Sequence, residues 1–292
     1  MPALILIAAI LLALYAVWRV RFRYPPDDLP RVLCYHKVSR SFCFEGTWTP
    51  PGWLESTIDR LLGGGYRFLS EAEYLAALDA PGAAHQRSVF LTFDDAYENV
   101  YEEAFPLLAA RALPFHLFVV SDFAGRENTW DLSLGRPPHA HAGWDQLREM
   151  AAAGATVGSH TATHSDLTRV SDAVLRDELV RSRETIEQRL GIGVRTLSYP
   201  FGRFNTAVRD AARETGYDAA FSLYPPWPNA RVDRYALRRN GVYIIDSPAW
   251  VERKLQPNRF FWFEEMKCRA INGVAVLTPA LKRPATPTGP DS

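Results

Sequence analysis

Val89-Phe90-Leu91-Thr92-Phe93-Asp94-Asp95-Ala96-Tyr97 is the stretch from which the rest of the chain is read. Five apolar or β-forming residues in a row suit a strand buried on both faces, and such a strand offers nothing to solvate charge. The two carboxylates that end it are therefore expected at the strand's C-terminal edge, where α/β folds place their chemistry. Adjacent like charges in a partly dry site repel, so a positive partner, such as a metal ion, is expected beside them. The competing reading makes Asp94 and Asp95 an N-cap for a helix over Tyr97–Leu108.

Strand and helix signals alternate on either side. Arg31–Val38 reads as a strand that carries His36 near its end. Pro51–Leu62 has helical spacing and stops at Gly63-Gly64-Gly65. Tyr66–Leu69 is a short strand, and Ser70 with Glu73 forms a capping box for a helix to Leu78. After the 89–95 strand come a helix to Ala110, a strand Pro114–Val120 and a long polar loop Ser121–Ala142, of the kind that shapes a cleft. Trp144–Ala153 is a helix and Ala155–Ser159 a strand. Ser171–Leu190 is a strongly periodic helix and Asn205–Thr215 another. Val194–Tyr199, Ala219–Leu223 and Tyr235–Ile245 supply the last strands. About seven alternations over some 220 residues call for a parallel sheet closed or nearly closed into a barrel.

Gly158-Ser159-His160-Thr161-Ala162-Thr163-His164 follows one of these strands. On a helical turn, His160 and His164 would project from one side, within reach of a single cation. Two histidines and one carboxylate make a common catalytic metal set, and the second Asp is then available to accept a proton from water. In Arg195-Thr-Leu-Ser-Tyr199-Pro200-Phe-Gly202, a strand again ends in a turn. Backbone amides near Tyr199 are candidates for an oxyanion donor, and Arg195 for a carboxylate partner.

These three segments resemble the NodB-homology polysaccharide deacetylases, the fourth family of carbohydrate esterases. Thr-Phe-Asp-Asp at 92–95 resembles the first motif, His-Thr-x-x-His at 160–164 the second, and Arg-x-x-Ser-Tyr-Pro-x-Gly at 195–202 the third. The resemblance spans about residues 31–245 and implies a distorted (β/α)7-type barrel with a divalent metal, usually zinc. Asp95, His160 and His164 would be its ligands and Asp94 the general base. Arg195 would orient Asp94, and the Tyr199 amide would stabilise the oxyanion. Ala96 stands where the family more often has Gly. The family's late Leu-x-x-His, which supplies the general acid, is missing. However, Tyr35-His36-Lys37-Val38 resembles the start of the circularly permuted poly-N-acetylglucosamine deacetylase branch, where an early histidine takes that place. Only His36, among the remaining histidines, ends a predicted strand on the rim of Asp94 and His160, so it is the expected acid. Arg239 resembles a late arginine of this branch, and Trp144 belongs to a helix that precedes the second motif in many members. With Tyr35, these two are assigned to the substrate-binding surface.

Three domain segments follow: 1–24, a membrane anchor and basic flank; 25–255, the catalytic domain; 256–292, an aromatic extension and a tail disordered over its final ten residues. Met1–Trp18 carries no charge and spans about 27 Å as a helix, close to the hydrocarbon thickness. Arg19, Arg21 and Arg23 follow it, which favours a cytoplasmic catalytic domain on a bacterial inner membrane. Thirty-three basic and 33 acidic residues cancel, which excludes a bulk field for nucleic acid. Three cysteines are too few and scattered for a disulfide framework or a thiolate zinc site, and their odd number fits a reducing compartment. The expected reaction is hydrolysis of an N-acetyl group on an amino-sugar glycan, with zinc, cobalt or nickel as the metal. Alternatives are a deacylase or deformylase acting on a lipid-linked glycan, and a carbohydrate-binding pseudoenzyme.

Overall fold

The computed structural model describes residues 29–41, 46–130, 139–223 and 232–256, with 263, 264, 266–268 and 270 near the C terminus. The proposed anchor, Met1–Trp18, and the final ten residues lie outside them. No helix among the described residues is long and apolar enough to cross a membrane.

The strands are β1 (Arg31–Tyr35), β2 (Lys37–Val38), β3 (Trp48–Thr49), β4 (Arg67–Phe68), β5 (Ser88–Phe93), β6 (His116–Val119), β7 (Thr156–Ser159), β8 (Thr196–Ser198), β9 (Ala219–Ser222), β10 (Leu237–Arg238) and β11 (Asn240–Gly241). The helices are α1 (Pro51–Gly63), α2 (Glu71–Asp79), α3 (Phe105–Ala110), α4 (Trp144–Ala152), α5 (Asp172–Leu190), α6 (Thr206–Glu214) and α7 (Pro248–Lys254). The main sheet runs β10-β9-β8-β7-β6-β5-β1-β11, with β4 paired to the start of β5. Every pairing along it is parallel. Only Arg239 separates β10 from β11. This last stretch therefore bonds β9 at its beginning and β1 at its end, and the sheet nearly closes into a barrel. The parallel-barrel expectation holds, and His36 occupies the one-residue break between β1 and β2.

Side-chain alternation divides the core in two. Leu33, Val89, Leu91, Leu117, Val157 and Leu197 point outward and pack with Leu54 and Ile58 of α1 and Leu179 and Ile186 of α5. Val32, Phe90, Phe118, Ala219, Phe221 and Leu237 fill the lumen. Helix α2 plugs the lumen's lower end, with Tyr74 stacked on Phe90 at 4.7 Å. The helix starts where the expected capping box forms between Ser70 and Glu73. The N-cap reading of Asp94 and Asp95 fails: helical backbone starts only at Glu98, runs through a π-helical turn over Val100–Ala104 into α3, and the Asp94 oxygens are taken by Arg239.

A polar chain crosses the lumen between plug and rim. The Thr196 hydroxyl donates to Glu71 of α2 (2.7 Å), and His116 Nε2 lies 3.0 Å from the same hydroxyl oxygen. That hydroxyl's single proton is spent on Glu71, so His116 Nε2 is the donor, and Nδ1 accepts from Thr156 (2.8 Å). Gly158 makes room for this ring, since a Cβ there would lie 2.6 Å from His116 Nε2. Burial pushes the His116 pKa down to about 3. An unfolded histidine takes up a proton near pH 6.5, and the folded one does so only near 3. Folding stability is therefore fully present above pH 6.5 and drains as pH falls through the window below it, by on the order of a few kcal/mol. Thermal melts between pH 7 and pH 4 should show a steeper loss for the wild type than for His116→Gln. Equal slopes would remove His116 as the cause.

Candidate active site

β5 delivers Asp94 and Asp95 to the rim, and the backbone then sends them in different directions. Asp95 and Ala96 both have left-handed conformations (φ 65° and 47°). Ala96 carries a strain there that a glycine would not.

Asp94 faces the lumen. Arg239 grips it with two parallel bonds, Nη1 to Oδ1 at 2.6 Å and Nη2 to Oδ2 at 2.7 Å. Ser198 Oγ (3.2 Å) and the Cys34 thiol (3.5 Å) also donate to Oδ2. Arg239 Nη2 reaches Ser198 Oγ at 2.8 Å, and the guanidinium lies over the rings of Phe118 and Phe221. Burial by itself would raise the Asp94 pKa. Arg239, followed by His160, overrides it and holds the carboxyl well below the usual carboxylate range.

Asp95 turns to the histidine pair. Its Oδ1 lies 3.6 Å from His160 Nε2 and 3.5 Å from His164 Nε2. His160 Nδ1 donates to the Ser198 carbonyl (2.8 Å), so its Nε2 carries the lone pair, and burial favours the neutral ring. The 160–164 segment is an irregular loop, not the expected helical turn. Thr161 and His164 have left-handed φ values of 68° and 61°, which bring the ring centroids to 4.9 Å. Glu178, buried on α5, shapes this loop by accepting from the amides of Ala162 and Thr163, both at 2.9 Å. Trp130 stacks on His164 at 4.4 Å, and Phe201 meets the same ring edge-on at 4.7 Å.

One donor atom each from Asp95, His160 and His164 falls within 4.8 Å of the others. A carboxylate with two neutral imidazoles, one oriented by a backbone carbonyl, fits a divalent metal such as zinc. Cys34, His36 and Asp94 meet the same distance criterion. That set is unsuited to a cation, because Arg239 occupies both Asp94 oxygens and burial keeps the Cys34 thiol protonated. His36 stands beside Asp94 with its Nδ1 buried and without a hydrogen-bond partner among the described residues. Burial pushes its pKa down to about 4, below the value near 6.5 expected of a ready proton donor at neutral pH.

Four expected roles are corrected. Arg195 precedes β8 and lies away from the rim. It is exposed and pairs with Asp218 at 2.6 Å, and Arg239 holds Asp94 in its place. Arg239, only 2% exposed and committed to that carboxylate, is not a substrate contact. The Tyr199 amide is spent in the sheet on the Phe221 carbonyl (3.0 Å), and its hydroxyl on the Tyr235 carbonyl. Pro200 has no N–H and the Gly202 amide bonds Tyr199, so Phe201 (φ 58°) carries the amide of this turn that has no acceptor among the described residues. Tyr35 points out of the barrel, buried against Phe93. Trp144 lies under the Arg189 guanidinium at 5.9 Å and lines a surface cavity with Ser121 and Asp122, while the tryptophan stacked on His164 is Trp130.

Glu178 was legible in principle, since it interrupts the apolar stripe of Leu175, Leu179 and Ile186. Trp130 had no signal beyond its place in the loop expected to shape the cleft.

Residues 82–220 match the polysaccharide deacetylase family. The chain is 26% identical over 214 residues to YxkH of Bacillus subtilis (strain 168), which covers 73% of this chain and 71% of that protein. It is 27% identical over 180 residues to the poly-beta-1,6-N-acetyl-D-glucosamine N-deacetylase of Staphylococcus aureus (strain MSSA476), spanning 58% of this chain and 59% of the staphylococcal protein. The structure is similar to IcaB from Ammonifex degensii, with a TM-score of 0.64, 27% identity, and coverage of 80% of this chain and 99% of that one. The family match runs through both the aspartate pair and the histidine pair, and residues 82–220 form a polysaccharide deacetylase domain, in the NodB-homology fold.

Proposed function

We propose that this protein removes N-acetyl groups from an amino-sugar polymer by metal-dependent hydrolysis. The observation that carries this reading is the division of labour between adjacent carboxylates. Asp95 shares a centre with His160 and His164, while Asp94 is kept ionised by Arg239 beside that centre. The similarity to the staphylococcal and Ammonifex proteins supports the substrate class.

A divalent cation held by Asp95, His160 and His164 would supply Lewis acidity toward the acyl oxygen and a water molecule. Asp94, fixed by Arg239 and Ser198, accepts the proton of the attacking water. The water oxygen bonds to the acyl carbon, the carbon–nitrogen bond breaks, and the amine leaves with a proton while acetate remains. His36, neutral at rest and beside Asp94, would take up that proton and pass it to the amine. The Phe201 amide is available to the developing oxyanion. Trp130 and Phe201 offer an apolar wall beside His164 for the acetyl methyl or a sugar face. Met1–Trp18 remains, on its composition, a membrane anchor, with the arginines after it favouring the cytoplasmic side.

Asp94→Asn should retain metal and lose about 10²–10⁴-fold in kcat, whereas His160→Ala should lose metal together with activity. Near-full turnover by Asp94→Asn would reject the assigned base. His36→Gln should keep metal, lower kcat on amides and spare activated acetyl esters, whose leaving groups need no proton. Unchanged amide hydrolysis would remove His36 from the mechanism.

Arg239→Gln should cost about 3–5 kcal/mol in denaturant unfolding, because it leaves the Asp94 charge buried and unpaired, and should abolish turnover. Arg195→Gln, at an exposed pair, should change stability by about 1 kcal/mol or less and leave kcat unchanged. The reverse ranking would restore Arg195 as the partner of Asp94.

A further inference from the structure

The left-handed Asp95–Ala96 turn is strained at both of its non-glycine residues and persists only if its surroundings over-determine it. The loop that leaves β6 supplies the restraint. Ala142 N donates to the Ala96 carbonyl (2.8 Å), Glu98 N donates to the Ala140 carbonyl (2.9 Å), and Tyr97 and His141 form an antiparallel bridge. Between these backbone bonds, His141 Nδ1 lies 2.7 Å from the carbonyl of Asp95 itself. A carbonyl only accepts, so Nδ1 carries the proton. The ring is 2% exposed and stacked on Tyr97 at 4.8 Å and 20°, and Tyr97 is fixed in turn by Asn128 Nδ2 on its hydroxyl (2.7 Å). The other side of the ring meets Phe123 and Trp130, the tryptophan stacked on His164.

We propose that His141 is a positioning residue for the metal centre. Its Nδ1–H bond to the Asp95 carbonyl locks the left-handed turn that aims the Asp95 carboxylate at His160 and His164. Without the bond, the carbonyl loses this donor and the turn is freer to relax toward ordinary φ. The Asp95 Oδ1 then leaves its place 3.5–3.6 Å from the two Nε2 atoms. Partners one shell out from a metal ligand typically govern affinity by about 10–100-fold. The inference rests on the proposed Asp95–His160–His164 metal site.

Zinc affinity, measured by chelator competition, tests it together with the melting temperature of the metal-free protein. The proteins compared are the wild type, His141→Ala, His141→Asn, His141→Gln and Asp95→Ala. Asn places an amide donor near the position of Nδ1, whereas Gln places one near Nε2. His141→Ala and His141→Gln should bind zinc about 10–100-fold more weakly, and His141→Asn should return to within about threefold of the wild type. If the alanine variant does not fold, the Asn–Gln contrast decides. Zinc affinity that Asp95→Ala abolishes and His141→Gln leaves unchanged would overturn the positioning role alone. Equal weakening by Asn and Gln, in step with equal losses of metal-free melting temperature, would reduce His141 to packing. Zinc binding unaffected by Asp95→Ala would overturn the site and this inference together.

Discussion

The forked bond between Arg239 and Asp94 is the interaction on which the rest of this structure depends. Both side chains are almost fully buried, and two charges removed from water are tolerated only where geometry and further hydrogen bonds satisfy them. Here the guanidinium and carboxylate planes meet through two bonds, and Ser198 touches both groups. Arg239 is also the single residue between β10 and β11, where the last strand leaves β9 and joins β1. One ion pair thus ties the seam of the barrel to the strand that carries the chemistry. A lysine would keep the charge without the fork.

That constraint explains how two adjacent aspartates come to differ. Asp94 is committed to the lumen and kept ionised by Arg239. Asp95, turned by a left-handed backbone, is left to the histidines. Consecutive residues of a regular strand would also point to opposite faces, but Asp95 would then enter the outer core. The strained turn lifts it over the rim instead, held by the loop bonds at residues 140–142. Strain at Asp95, Ala96, Thr161, His164 and Phe201 therefore surrounds the site, and each of these residues lies in a segment just after a strand.

Local features were the most legible in the amino-acid sequence. The 89–95 run, the Ser70–Glu73 capping box and the alternation of strands and helices predicted the parallel barrel and the rim position of both aspartates, because each depends on neighbours within a few residues. The pairing of Asp94 was not legible. Arg195 and Arg239 both follow the histidine motif, and only closure of the barrel decides which one reaches the lumen. Tyr35 went astray by alternation, since its side chain falls on the outer face, and Tyr199 because its amide is still part of the sheet, bonded to the Phe221 carbonyl. The histidine spacing pointed to the right pair through the wrong backbone, a loop shaped by Glu178 instead of a helical turn. His141 and Trp130 lie in a loop without periodicity, where chain position says little about spatial neighbours.

The central claim is that two neighbouring carboxylates hold separate offices, one at a metal and one at an arginine. Anomalous diffraction at the zinc absorption edge, from crystals grown with zinc, tests it most directly. The account predicts one strong peak enclosed by Asp95, His160 and His164, with Arg239 still forked onto Asp94. A peak enclosed by Cys34, His36 and Asp94, with Arg239 displaced from the carboxylate, would contradict it.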